Sequence, residues 1–313
     1  MKSLFSLIVF LFSLFSFSQY EYPEKKNADI VLRSTLAVQL LDEDNESAKY
    51  ANAAVKEVFS ENWKLTEVVF LSKREIEKLK DSKDTKYTYL THDDALLKDM
   101  RMGHISPTGK LHSMGVNAPS GSVSFKYAAF TFAYYSYNLE ITGEKKPVSV
   151  TKIGFANGEL SKIDYLFLCQ QLSHLLDSSS KSVPKNEYYN IESNIELSKN
   201  SQLTLLEDYF REKDIKKMDS YYKNDFKLVK REEYQDVILN KESGKTYVKI
   251  IWSHQHRMYL WTVVNAEDGT VISQVGFGGI KFGRNHDAND IIKAKHLKYI
   301  TSTMAQKVNN RYK

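Results

Sequence analysis

One cysteine, Cys169, stands among 313 residues. A single thiol closes no internal disulfide, so a chain of this kind that leaves the cytoplasm must be held together by its core. An excess of charge of one sign is also missing: 44 Lys and Arg face 39 Asp and Glu, a formal net charge of +5, with the two signs intermixed along the chain. That distribution excludes the clustered basic footprint of a nucleic-acid-binding protein. Catalytic signatures are lacking too. There is no GxSxG elbow, no HExxH helix and no paired-cysteine motif, so nothing supports an enzyme and no cofactor is expected.

What is present begins with an export signal. Lys2 precedes an uncharged stretch of Leu, Phe, Ile, Val and Ser reaching Phe17, with small residues at Ser16 and Ser18. This pattern predicts a signal peptide over 1–18, cut after Ser18. The stretch is too short and too broken by serines to span a bilayer comfortably, and no cysteine follows it to carry a lipid. We therefore expect a periplasmic or secreted protein without a transmembrane segment after cleavage.

The mature chain reads as α/β (α+β), built of two tandem related modules. Each is expected to be a mixed β-sheet with flanking helices and a long C-terminal helix. Residues 19–33 read as an N-terminal arm, 34–177 as the first module, 178–193 as a Ser-, Lys- and Pro-containing linker and 194–313 as the second module. In the first, TLAVQLL at 35–41 predicts a strand, and Ala48, Ala51, Val55, Val58 and Phe59 recur at helical spacing. Ser72 with Glu75, and Ser161 with Asp164, open helices as capping boxes. A change of phase between Tyr134 and Tyr135 in VSFKYAAFTFAYYSYNLEI predicts a bulge. Two local matches, SKREIEKL with VKREEYQDV and GFANGE with GFGGIK, fall at corresponding places and predict internal duplication.

The run MYLWTVVNAEDGTVISQ, with FKLVKREEYQDVI before it, resembles cell-envelope modules of the curli-secretion lipoprotein type and of the N-terminal domain of the Tol-system β-propeller protein. Val263 to Val271 stand in their acidic-Gly hairpin, and Val229, Lys230 and Arg231 in their strand-to-helix step. The resemblance implies a mixed-sheet binding module of the envelope. It does not extend to secretion, because the lipidation cysteine and the pore-forming hairpins are missing.

Candidate sites follow from residue type and spacing. Residues 91–122 read as a loop inserted in the first module. Within it, Met100, Met102, His104, His112 and Met114 offer the soft thioether and imidazole ligands that select copper. His92 with Asp93 and Asp94 could form an acid–base group, which is the basis of a hydrolase alternative. His254 and His256, two residues apart, could begin a zinc site with His286 and Asp287. Cys169 lies on the apolar stripe of its helix and is expected to be inert. The glycines of 276–283 suggest a phosphate loop, but no Lys followed by Ser or Thr completes one, so a strand-to-helix connection is expected. Among 20 tyrosines, Tyr135 and Tyr137 could offer a binding platform. The expected function is non-catalytic, with a protein or glycan of the envelope as partner and copper binding as the alternative.

Overall fold

The computed structural model describes residues 21–105, 111–113, 123–155, 160–188, 197, 199–253, 258–276 and 293–298; for 94–105, 111–113, 123–134, 186, 258–259 and 275–276 it describes the backbone alone. The expected signal peptide, the His254/His256 pair, Met114 and residues 277–292 lie outside this set.

The chain folds around a mixed sheet flanked by helices. In the first half, β1 (Thr35–Leu40) lies between β2 (Val68–Ser72) and β3 (Tyr87–Ile105), parallel to both. Helix α2 (Glu46–Asn62) connects β1 to β2, and α3 (Lys73–Asp81) connects β2 to β3. The Asn45 side chain caps α2 by accepting from the Ala48 amide, and Ser72 and Glu75 form the expected box at α3. Then β3 pairs antiparallel with β5 (Val123–Ile141), and β5 with β6 (Val148–Phe155). A short β4 (Leu111–Ser113) pairs with the end of β3.

The second half pairs its strands in the same senses. β7 (Gln202–Leu206) lies parallel to β8 (Phe226–Val229) and to β9 (Lys245–Ser253). β9 pairs antiparallel with β10 (Met258–Asn265), and β10 with β11 (Val271–Gly276). The anchoring hydrogen bonds correspond: Thr35 N to Lys86 O and Leu36 N to Glu67 O in one half, Gln202 N to Gly244 O and Leu203 N to Asp225 O in the other. Helix α3 ends with Lys83 at φ 55° and a bond from Asp84 N to Leu79 O. After α8 (Arg231–Leu239), Lys241 at φ 52° and a bond from Glu242 N to Val237 O repeat that ending. Counted from these anchors, Tyr89 corresponds to Tyr247, and Gly154, across from Ser136, to Gly276, across from Leu260.

The two halves meet along β6 and β9 through Gly154↔Trp252 and Phe155↔Ile251. Helix α4 (Lys162–Ser180) lies over this seam with Leu168, Leu172, Leu175 and Leu176 almost fully buried. It packs against α2 and α8, and one apolar cluster runs from Leu36 and Val38 through α4 to Tyr234, Ile251 and Val264. A second cluster, on the opposite face of the second half, gathers Leu203, Leu205, Trp252 and Trp261 under α6 (Glu212–Ile215), α7 (Met218–Tyr221) and α9 (Ala294–Leu297).

Four expectations change. The arm at 19–33 contains α1 (Lys25–Val31), whose Ala28 and Val31 are fully buried, and Ser179 Oγ donates to Pro23 O at 2.8 Å. So short a helix carries too little periodicity to read; its packing against α4 makes it. The linker at 178–193 begins inside α4, which runs to Ser180, and includes α5 (Lys185–Tyr188). The inserted loop at 91–122 is strand as far as Ile105, because β5 supplies a backbone partner for a segment whose own pattern does not alternate. The bulge falls not at Tyr134/Tyr135 but where Asp99 and Met100 pair with Phe130 and Ala128, leaving Ala129 as the extra residue. Where the long last helix is expected, the described residues hold the four-residue helix Ala294–Leu297, with both named ends buried.

Candidate functional site

Corresponding sheet faces in the two halves have opposite character. In the second half, α4 covers Tyr247, Ile251, Leu260 and Val264, all at most 4% exposed. In the first half the corresponding positions are Tyr89, Asp93, Ser136 and Glu140. Tyr89 is sealed under α3 with Ala37 and Ile76. The remainder of the face holds a polar network. Lys80 of α3 pairs with Glu140, Asn138 Nδ2 donates to Glu140 Oε1 at 2.9 Å, and Ser149 Oγ donates to Asn138 Oδ1 at 2.6 Å. Lys152 stands 3.8 Å from Asp93, whose side chain is 63% exposed. A row of donors and acceptors, each held by a neighbour, thus crosses β3, β5 and β6.

Where α4 covers the second half, one ion pair is buried. Lys249 of β9 meets Asp164 of α4, with side chains 9% and 8% exposed. Asp164 Oδ2 also accepts from Ser161 N at 2.7 Å and Oγ at 2.6 Å, so the same carboxylate caps the helix and neutralises the lysine. Burial works against the Lys249 charge, but the carboxylate outweighs it and the ammonium titrates above the ordinary lysine value. Tyr234 and Tyr247, edge to face at 6.1 Å, are pushed well up by burial. This group is enclosed, and its role is to fasten the halves together.

Of the tyrosine pair read as a platform, Tyr137 is 2% exposed and packs edge-on to Tyr165 and Phe155 in the core. Tyr135 is half-buried, stacks on His92 at 5.6 Å, and its hydroxyl lies 3.1 Å from His92 Nδ1. Gln39 Nε2 lies 3.0 Å from His92 Nε2. His92 therefore sits among Gln39, Tyr135 and Tyr137, while Asp93 turns to Lys152 on the other face, and the structure does not join the two as an acid–base pair.

The copper candidates fall where β3 and β5 run on as a ribbon. His104 is the register partner of His112, and Met102 that of Lys126, while Met100 stands at the bulge. Among the described residues no group of three or more His, Cys, Asp or Glu is placed to hold a metal. Cys169 is 1% exposed, and burial pushes its thiol up to about 12.

Sequence reading missed the polar row because its bonded partners lie up to 60 residues apart, as Lys80 and Glu140 do. Setting one half against the other would have found it, through Glu140 at the place of Val264 and Asp93 at that of Ile251. Among the described residues no helix is long and apolar enough to cross a membrane. Compared with protein-family models, with curated proteins and with solved structures, the chain matches none.

Proposed function

We propose that the chain is an exported, non-catalytic protein of the cell envelope, formed by duplication of one α/β module, and that it binds a protein or glycan partner on the open sheet face of its first half. The observation that carries this reading is the contrast between corresponding faces. The covered one is apolar at Ile251, Leu260 and Val264, and its counterpart is polar at Asp93, Ser136 and Glu140, with Asp93 exposed, Glu140 partly so and Ser136 buried. In stacked repeats a terminal unit needs a polar outer surface for solubility; a hydrogen-bonded row additionally offers fixed donors and acceptors to a ligand. The equal strand senses and the matched αL endings at Lys83 and Lys241 support duplication. The N-terminal pattern supports export, and the likeness to curli-secretion and Tol-propeller modules supports the envelope.

The test places a photo-cross-linking residue at Ser149 and, as control, at Lys216 on the second half, in cells making the full chain. A partner captured from Ser149 alone, and lost on Asn138→Ala with Lys152→Ala, supports the reading; equal capture from both positions removes it. Sequencing the mature N-terminus checks export, with Gln19 expected first.

A second reading, copper binding, is favoured by one relationship, the register pairing of His104 with His112. Stoichiometric copper in the purified protein, lost in the Met100→Ala, Met102→Ala, His104→Ala triple variant, would replace the first reading.

A further inference from the structure

We infer that the gap between the end of α3 and the β5–β6 turn is a binding site for an acidic sugar, a uronic acid unit of a glycan lying along the open face; this rests on the reading of that face as a binding surface. In the second half the corresponding gap is filled. There α4 presses on the β10–β11 turn, with Gln171 Nε2 donating to Gly269 O at 2.7 Å, and a Cβ on Gly269 would stand 2.6 Å from the Gln170 side chain. In the first half no helix among the described residues arrives there. The turn at 142–147 and the end of α3 enclose instead a cavity of about 320 Å³, within the size range of small-ligand pockets.

Its lining differs from an ordinary solvated surface in how the charges are matched. Lys80 is neutralised by Glu140 and lies 5.4 Å above the Tyr89 ring. Lys83 donates only to a backbone oxygen, that of Glu144, at 2.7 Å. Lys145 and Lys146 have no carboxylate partner among the described residues. Three ammonium groups, none of them ion-paired among the described residues, therefore share one cavity with two carboxylates, and an anionic ligand would offset the remaining single positive charge. Glu77 and Asp81 also line it. Two carboxylates repel a bare oxyanion but accept hydrogen bonds from hydroxyls, and a sugar acid carries both kinds of group. Lys80, which lines the cavity, pairs with Glu140, and Glu140 with Asn138 and Ser149 begins the polar row beside it, an arrangement that suits a chain of hydroxyl-bearing units more than an isolated ion.

The test titrates the full mature chain calorimetrically with a short uronic acid oligosaccharide, its neutral glucose counterpart and inorganic phosphate. We expect the acidic oligosaccharide to bind best, more weakly as salt rises. Its affinity should fall about tenfold in Lys145→Gln/Lys146→Gln and stay unchanged in Lys216→Gln/Lys217→Gln. Equal affinity for the acidic and neutral sugars overturns the acidic assignment while leaving the open-face reading intact. Phosphate binding as tight as the oligosaccharide overturns the sugar assignment. Binding that ignores the Lys145/Lys146 change overturns the location, and the absence of any saccharide binding, with a protein captured from Ser149, overturns the inference but not the proposed function.

Discussion

Lys249 and Asp164, 85 residues apart in sequence, form an ion pair buried on both sides where the two halves meet. Breaking such a pair leaves one charge enclosed and unpaired, at a cost of about 3–5 kcal/mol. We expect Lys249→Met or Asp164→Asn to lower stability by that order, with Asp164→Asn the worse because it also weakens the cap at Ser161. In the double variant Lys249→Met/Asp164→Asn the loss should be smaller than the sum of the two. Urea unfolding of the four proteins measures this coupling.

The same region makes the fold sensitive to base. Lys249 titrates above its ordinary 10.5 and Tyr165 is pushed up to about 12 from 10.0; Tyr234 and Tyr247 move the same way. Groups whose folded values are raised contribute stability fully below the unfolded value and lose it as pH rises through the folded value. Stability should thus stay level in this respect up to about pH 10 and fall between about pH 10 and 12. Thermal unfolding across that range, with tyrosinate absorbance as the second signal, checks it; a midpoint unchanged to pH 12 would refute it.

Cys169, enclosed and with its thiol held protonated, is expected to react with iodoacetamide only after unfolding. Mass spectrometry of the native chain after alkylation should show no adduct, and the denatured chain one.

Two backbone positions should respond in opposite directions. Lys241 pays for a left-handed conformation that glycine adopts freely, so Lys241→Gly is expected to raise stability by about 0.5 kcal/mol, net of its bond to Asn62. Gly269, at φ 81°, has the Gln170 side chain where a Cβ would go. Gly269→Ala should cost about 1–3 kcal/mol. Chemical denaturation of both variants compares them.

Much of the architecture was legible in local pattern. Ser72 with Glu75 and Ser161 with Asp164 cap helices as expected, and the strands at 35–40, 202–206 and 226–229 stand close to where alternation and β-branching put them. What escaped was set by distant partners. β3 beyond Thr91 mixes charged and apolar residues without alternation, and β5 makes it strand; α1 is too short to show a period, and its packing on α4 makes it helix. Under the duplication proposed above, the match of SKREIEKL with VKREEYQDV falls one residue out of the register that the αL endings give. Those endings align Ile76, the buried residue of α3, with Tyr234, one of three buried in α8. Tyr137 illustrates the limit on the site side. A tyrosine on an alternating strand looks the same whether its face is wet or covered, and it was the distant α4 that covered this one.

The seam between β6 and β9 is two register pairs long, a narrow weld for half-sheets of this size. Its strength comes from elsewhere, since α4 belongs to the first half by chain order and to both by burial. Cut loose from that helix, the second half would present Tyr247, Ile251, Leu260 and Val264 to water as a sticky sheet. The two halves are consequently expected to melt together rather than as beads on a string, with any change that loosens α4 felt at both ends of the molecule.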